Sequence, residues 1–198
     1  ASERSNITTV EDPIEMVHER FNQIAVQPKI DLTFANILRH ILRQDPDIIM
    51  IGEMRDLETA ANAIQSALTG HLVLSSLHTN DAPSSITRLI DLGAEPFLIS
   101  STIIGVVAQR LVRKICSQCQ DSCKVKIADL TPLALEGKPD MEVELKMGKG
   151  CRQCRNTGYL GRTGIFEVMP MSEGLGKLVN RGAPLSELQR FSLAEGMI

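Results

Sequence analysis

Acidic side chains and a histidine follow three short apolar runs in the first half of the sequence. They are Glu11 and Asp12 after the first run, Glu53 after the second and His78 after the third. Continuous apolar runs are typical of parallel strands, whose carboxyl ends meet at one sheet edge, where ligands bind. Carboxylates there can hold Mg²⁺ through water or orient an attacking water, and a histidine can sense a phosphate. The arrangement therefore predicts metal-assisted phosphoryl transfer.

Each of these segments also has a simpler interpretation. Acidic residues before Pro13 are common in turns, Glu53 can be a solvated strand end, and His78 can be a loop residue held by hydrogen bonds. The prediction of a catalytic edge depends on their succession, because three strand ends in a row carry the same kind of polar group.

Four of the five cysteines form two C-x-x-C pairs, and these are Cys116, Cys119, Cys151 and Cys154. Four thiolates can bind one tetrahedral zinc ion and leave no open position for chemistry, so the predicted zinc is structural. The pairs are separated by residues 120–150, which is longer than in typical zinc ribbons. A redox role is disfavoured because redox motifs carry a single C-x-x-C beside a βαβ helix. Cys123 is either a buried thiol or a ligand in place of Cys119.

The overall composition argues against several classes of protein. The net charge is −3, and the chain has no Trp, one Tyr and five Phe. Nucleic-acid binders usually combine a basic surface with stacking aromatic rings, so we expect no nucleic-acid partner. No apolar run is long enough to span a bilayer, and the first residues contain no apolar export signal. Paired cysteines in an odd total number suit a reducing compartment, so we expect a cytoplasmic location without membrane insertion.

Alternating strand and helix patterns predict an α/β fold with a parallel sheet that positions these groups. The predicted strands are 7–10, 48–51, 72–74 and 163–168, and the predicted helices are 34–43, 57–69, 84–92 and 97–113, with a helical tail from Ser172. Thr33 and Asp56 are expected to cap two of these helices, and Gly70 to end one. The composition changes near Cys116, so we expect three regions, 1–114, 115–161 and 162–198.

Three motifs, in this order, resemble those of the ATPase superfamily of type II secretion and type IV pilus assembly. They resemble its aspartate box, its atypical Walker B motif and its histidine box, at Thr9–Glu15, Leu42–Asp56 and Thr69–Asn80. The resemblance extends through 108–113 and 161–165, and so covers nearly the whole chain. It implies a RecA-like P-loop NTPase core with a small tetracysteine zinc insert and a helical C-terminal region. The sequence of residues 95–101 resembles the type II secretion branch more closely, with the pilus extension ATPases as the alternative.

The resemblance also implies catalytic roles for four side chains. Glu53 corresponds to the Walker B carboxylate near Mg²⁺ and the lytic water. Glu11 corresponds to a general base, with Asp12 assisting at the metal. His78 corresponds to a residue near the γ-phosphate or at the subunit interface.

Three further residues are implied to be associated with the nucleotide. Gly52 stands where the Walker B motif usually has an acid, and His71 is expected near the γ-phosphate or the subunit interface together with the second histidine of its box. Arg55 either contacts the nucleotide or forms a structural ion pair, which is the commoner fate of a surface arginine.

No segment matches the phosphate-binding motif G-x-x-x-x-G-K-S/T, whose backbone N–H groups and lysine hold phosphates. In the family this loop lies one βα unit before the aspartate box, about 30 residues upstream. The chain is therefore expected to be a C-terminal part of the motor, with a further family segment after its last residues. We expect no ATP hydrolysis from these residues alone.

The implied function is that of a hexameric ATPase that couples ATP hydrolysis, with Mg²⁺, to pseudopilus assembly and type II protein secretion. Such a motor would act on the cytoplasmic side of the bacterial inner membrane, with itself and membrane-platform proteins as partners. Apart from the pilus motor, the alternative from another class is a non-catalytic, zinc-stabilised interaction module. A nucleic-acid-binding zinc protein is disfavoured by the acidic charge balance and the few aromatic residues.

Overall fold

The computed structural model describes residues 5–133 and 140–198. The chain forms two compact units, of which the first comprises Ala1–Ala108 and Glu167–Ile198 and the second Gln109–Phe166. Part of the predicted cysteine-rich region, 134–139, lies outside the described residues.

A four-stranded parallel sheet is the centre of the first unit. Its strands are β1 (Ile7–Glu11), β2 (Asn22–Ala25), β3 (Ile48–Ile51) and β4 (Leu72–Ser75), in the order β2-β1-β3-β4. Val10 and Ile49 are fully buried within it, as continuous apolar runs in a parallel sheet require. The predicted parallel α/β sheet is confirmed, whereas β2 is an additional strand that its half-polar sequence does not predict.

Four helices come next in the first unit, and three of them begin at a polar side-chain cap. They are α1 (Phe34–Ile41), α2 (Leu57–Leu68), α3 (Ala82–Asp91) and α4 (Pro96–Thr102). The side chains of Thr33, Asp56 and Asp81 each accept a hydrogen bond from a backbone N–H in the first turn of α1, α2 and α3, respectively. Gly70, with φ +100°, follows α2 in the left-handed region, as predicted for the residue that ends it.

The predicted helix over 97–113 is wrong beyond Thr102. Helix α4 ends there, Ile103 is extended (φ −75°, ψ 127°), and strand β5 runs from Gly105 to Ile115. Two β-branched pairs on either side of Gly105 disfavour a helix at this point. Strand β5 pairs with β8 (Tyr159–Pro170), which extends the predicted strand at both ends and supplies the partner that local sequence patterns cannot reveal.

A second group of helices completes the first unit. The predicted helical tail is confirmed as α5 (Glu173–Asn180) and α6 (Leu185–Ala194). Ile86 of α3, Ile99 of α4, Leu175 of α5 and Leu188 of α6 are buried together in one apolar cluster. Leu77, the residue before His78 in the loop that leads to α3, packs against this core.

Strands β6 (Gln120–Lys126) and β7 (Glu142–Gly148) form an antiparallel pair in the second unit. A 3₁₀ segment, Ile127–Leu133, follows β6. In the part of the chain that the structure describes, no helix combines the length and the apolar character that crossing a bilayer requires.

Candidate functional site

The carboxyl ends of β1, β3 and β4 lie side by side because their register is parallel. Val10 pairs with Ile51, and Ile51 pairs with Ser75. The residues that follow these pairs are those that the sequence marks for chemistry. Glu11 is the last residue of β1, Gly52 follows β3, and the loop to His78 follows β4.

Glu53 is the centre of the contacts at this edge. One carboxylate oxygen, Oε1, accepts a hydrogen bond from Nη2 of Arg55, and Oε2 lies 3.1 Å from Nε2 of His78. The Glu53 side chain is only 13% exposed, whereas that of His78 is 89% exposed. The hydrogen bond from Arg55 holds the pKa of Glu53 below its ordinary value, against the opposing effect of burial, and His78 adds to the lowering. Glu53 is therefore a carboxylate at neutral pH.

Arg55 carries the positive charge nearest to this carboxylate. Its hydrogen bond to Glu53 raises the pKa of Arg55, and the charge of Asp12 raises it further. Asp12 itself is exposed, in the turn that leaves β1. The guanidinium therefore interacts electrostatically with carboxylates from two neighbouring strand ends, and the ion pair of Arg55 that the sequence allowed is present.

Gly52 allows β3 to end close against β1. Its N–H donates to the carbonyl of Val10 at 2.8 Å, and a Cβ at this position would lie 3.2 Å from the same oxygen and 3.5 Å from Cα of Glu11. On the other side, Oγ of Ser76 donates to the carbonyl of Gly52 at 2.5 Å. A larger side chain at this position would press on the backbone that carries Glu11.

Glu11 is held by two donors that the sequence does not reveal. Its Oε1 accepts from Oγ1 of Thr9 at 2.5 Å and from Nε2 of Gln23 at 2.9 Å. Gln23 lies on the unpredicted strand β2, so no motif points to it. The parallel register, in which Thr9 faces Gln23, brings both donors beside the same carboxylate.

His71 does not join this group. It precedes β4, at the amino end of the strand, whereas His78 follows the carboxyl end. Four strand residues at about 3.3 Å each separate the two ends by about 13 Å. Nδ1 of His71 lies 3.0 Å from the carbonyl oxygen of Ser66 and 3.1 Å from Oγ1 of Thr69, so the ring is attached to the end of α2.

The four cysteines of the two C-x-x-C pairs converge in the second unit. All four Sγ atoms lie within 4.8 Å of one another. Three of the separations are 3.9 Å for Cys116–Cys151, 3.8 Å for Cys119–Cys154 and 3.7 Å for Cys151–Cys154. A tetrahedral ZnS₄ centre with Zn–S bonds of about 2.3 Å has edges of about 3.8 Å. The cluster is therefore compatible with zinc, and all of its cysteines are free thiols.

Backbone N–H groups stabilise the thiolate form of one cysteine in this cluster. Burial raises the pKa of Cys154, but the N–H donors of Cys151 and Gly158, at 3.2 and 3.3 Å, and the thiols of Cys151 and Cys119 together outweigh it and bring that pKa to about 6. Burial, together with proton sharing among the thiols, raises the pKa of Cys119 to about 12. One thiolate is thus favoured by the protein, whereas several thiolates together need a cation to compensate their charge.

Cys123 lies apart from the cluster, on β6 opposite Leu145 of β7. Of the two alternatives for a ligand, Cys119 is the cysteine that converges with the other three. Among residues 5–133 and 140–198, the tetracysteine cluster is also the one group of three or more Cys, His, Asp or Glu side chains whose ligand atoms lie this close.

Comparison with known proteins places this geometry in a family. A sequence model of the family described as Type II/IV secretion system protein matches residues 1–196. The Type IV pilus assembly ATPase TfpB of Acinetobacter baylyi is 49% identical over 197 residues, which are 100% of this chain and 34% of the relative. The Type II secretion system protein E of Pseudomonas aeruginosa is 47% identical over 191 residues, which are 96% of this chain and 38% of the relative. The chain thus spans a little over a third of these relatives.

Solved structures support the same assignment. The pilus retraction motor PilT, solved with bound ADP, is 28% identical with a TM-score of 0.61, over 96% of this chain and 45% of that one. The ATPase DotB of Legionella pneumophila, at 23% identity and a TM-score of 0.62, shares the fold. These likenesses confirm the predicted α/β fold class of the P-loop NTPase core. The similarity of sequence and fold along nearly the whole chain shows that it belongs to the Type II/IV secretion system protein family.

Proposed function

We propose that this chain is part of a motor ATPase that couples ATP hydrolysis to pseudopilus assembly and type II protein secretion. The observation that carries the proposal is the ionised Glu53, held between Arg55 and His78 at the carboxyl edge of a parallel sheet. In relatives named as type II secretion proteins, nearly all of this chain has an equivalent. The ATPase activity of the whole protein, its substrates and its partners are part of this proposal.

Glu53 acts in this proposal as the carboxylate that orients water. The hydrogen bonds from Arg55 and His78 lower its pKa despite its low exposure, so it is charged at neutral pH and can accept a hydrogen bond from water. When bound, ATP would supply the electrophilic γ-phosphorus, and Mg²⁺ would neutralise negative charge on the phosphate oxygens. Glu53, with Asp12, would hold the metal mainly through water, since Mg²⁺ sites often use one or two carboxylates together with phosphates.

Glu11 is the candidate general base, and His78 the group that senses the phosphate. Glu11 ends the strand next to β3 and is half-buried, so it can face the same edge as Glu53. His78 is exposed and attached to Glu53 by one nitrogen, so it can exchange that contact for another acceptor. Arg55 compensates the charge of Glu53, and Gly52 allows β3 to end close to the backbone of Glu11. His71, at the opposite end of β4, is assigned to support α2 or a subunit contact.

The tetracysteine cluster is proposed to hold one structural zinc ion through Cys116, Cys119, Cys151 and Cys154. The separations among their sulfur atoms support this, and four thiolates would fill every coordination position. The proposed regions are the core 1–114, this module at 115–161 and the C-terminal part 162–198.

Assembly of type IV pili is a close second candidate. The pilus ATPase TfpB is 49% identical to this chain and the type II secretion protein E 47%, so identity does not separate the two. For either system we propose a ring of six copies on the cytoplasmic side of the inner membrane, docked to membrane-platform proteins. Restoring secretion in a strain that lacks its secretion ATPase, but not pili in a strain that lacks its pilus ATPase, would favour the first candidate.

The test is ATP hydrolysis by the full protein that carries this chain, compared with its Glu53→Gln variant. We expect turnover that falls by at least about 100-fold in the variant, because an electrostatic group at the reacting centre is lost. Glu58→Gln is the matched control, since Glu58 is an exposed carboxylate at the start of α2, paired with Arg39. Zinc-loaded protein without ATPase activity would instead support a non-catalytic interaction module. The 198 residues alone, which lack the phosphate-binding motif, are expected to show no turnover.

A further inference from the structure

Glu11 is held by one of its two carboxylate oxygens. Oγ1 of Thr9 and Nε2 of Gln23 both donate to Oε1, at 2.5 and 2.9 Å, and neither contact uses Oε2. Two donors on one oxygen fix the rotation of a carboxylate, which would otherwise turn about its last bond. The other oxygen is thereby given a defined direction.

Both donors are themselves firmly placed. Thr9 is only 1% exposed, in the middle of β1, and it faces Gln23 across the parallel register. Thr9 and Glu11 are two residues apart on one strand, so their side chains lie on the same face of the sheet. The position of Oε1 therefore follows from the backbone of two paired strands rather than from a loop.

Gln23 also holds the loop that follows Glu11. The same Nε2 donates to the carbonyl of Met16 at 3.0 Å, and Oε1 of Gln23 accepts from the N–H of His18 at 2.6 Å. One side chain thus connects the carboxylate of Glu11 to the loop that begins with Asp12. Both ends of the Gln23 amide are used, which determines its orientation.

We infer that Thr9 and Gln23 are positioning residues for the reaction: they hold Glu11 by Oε1, so that Oε2 is the oxygen that receives the proton of the attacking water. This inference rests on the proposed function, in which Glu11 is the general base. A base must lie within hydrogen-bond reach of its proton in a fixed geometry, and small displacements of such a group cost large factors in rate.

The test uses the full protein that carries this chain and substitutions at Thr9, Gln23 and a control position. Thr9→Val keeps the shape of the side chain and removes its donor, and Gln23→Met does the same for the amide. Each is expected to lower kcat by about 10-fold, with KM for ATP within about 2-fold, because a hydrogen bond to a charged group is lost. Thr9→Ser restores the hydroxyl and is expected to recover most of the kcat lost in Thr9→Val. Asn22→Ala is the matched control on β2, since Asn22 bonds to Asn6 and not to Glu11.

Two readouts separate positioning from a merely structural role. Thr9→Ser loses a buried methyl group and should melt at a lower temperature than Thr9→Val, so stability and kcat should rank these variants in opposite orders. In a Glu11→Gln background, Thr9→Val should cause no further loss of kcat, because the Thr9 hydroxyl acts through Glu11.

Two results would overturn the inference in distinguishable ways. If the unsubstituted protein hydrolyses ATP and Thr9→Val and Gln23→Met keep its kcat, or if the effect of Thr9→Val adds fully to that of Glu11→Gln, the positioning role is refuted and the proposed function stands. If the unsubstituted protein shows no hydrolysis with Mg²⁺ and ATP, the proposed function fails, and the inference fails with it.

Discussion

The substitution Gly148→Ala should disrupt the tetracysteine cluster without touching any cysteine. Gly148 ends β7, where its backbone lies against that of Gly158. A Cβ added at Gly148 would lie 2.0 Å from the carbonyl oxygen of Gly158, whereas ordinary contact begins at 3.4 Å. The two backbones must therefore separate by the difference, about 1.4 Å, because backbone atoms cannot rotate away as a side chain does.

That displacement is large compared with what the cluster tolerates. The carbonyl oxygen of Gly158 accepts a hydrogen bond from the N–H of Cys116 at 2.9 Å, and the N–H of Gly158 donates to Sγ of Cys154 at 3.3 Å. Moving Gly158 by about 1.4 Å breaks both bonds, whereas zinc–ligand distances vary by only about 0.2 Å. Loss of one supporting contact around a metal typically costs about 10–100-fold in affinity. We therefore expect zinc affinity to fall by about 100-fold or more.

The assay is chelator competition with the zinc-loaded protein, together with zinc content by mass spectrometry. Gly161→Ala is the control, because it adds the same methyl group to the second unit where no atom lies within 4 Å. Gly161 has φ +78°, so this control carries backbone strain but no collision. If Gly148→Ala retained one zinc per chain with the chelator resistance of the unsubstituted protein, the reasoning from backbone contact would be refuted.

Four further substitutions test the first unit. Arg55→Met should reduce the free energy of unfolding at pH 7, because the carboxylate of Glu53 loses its ion pair. The difference from the unsubstituted protein should disappear as the pH falls below 4.5, the ordinary pKa of Glu53, because protonated Glu53 carries no charge for Arg55 to stabilise. Denaturant unfolding at a series of pH values measures this. His78→Ala should lower ATP turnover with little change in melting temperature, whereas His71→Ala should lower the melting temperature with less effect on turnover; calorimetry and ATPase assays separate the two. Ile86→Ala, at a fully buried position, should cost about 2–5 kcal/mol in denaturant unfolding.

Elements with a strong local pattern could be predicted from the sequence. The β-branched run of β1, the continuous apolar run of β3 and the caps Thr33 and Asp56 are local features, and the structure has each of them. Strand β5 is not predicted, because its apolar residues also fit a continuation of helix α4 and its partner β8 lies far along the chain. The β-branched residues around Gly105 are the local signal against a helix, and the distant pairing decides the outcome.

In the candidate site, too, local motifs could be predicted, whereas contacts that depend on strand pairing could not. The motifs identify Glu53 and His78, and the structure brings them to 3.1 Å because parallel strands end at a common edge. The donors Thr9 and Gln23 could not be predicted, since their role depends on a register between β1 and β2 that no motif encodes. His71 belongs to the same motif as His78, but the strand between them carries it to the opposite end of the sheet.

The two contacts of Glu53 have a consequence for any ligand that approaches this edge. Both carboxylate oxygens already accept a hydrogen bond, one from Arg55 and one from His78. A cation or water that bonds directly to Glu53 must therefore share one of these oxygens with a donor of the protein, or displace that donor. Because both donors lie on exposed side chains, their displacement costs little reorganisation of the core. A ligand that bonds directly to this carboxylate would thus act on Arg55 or His78 as well, and a change in the environment of either side chain would report its binding.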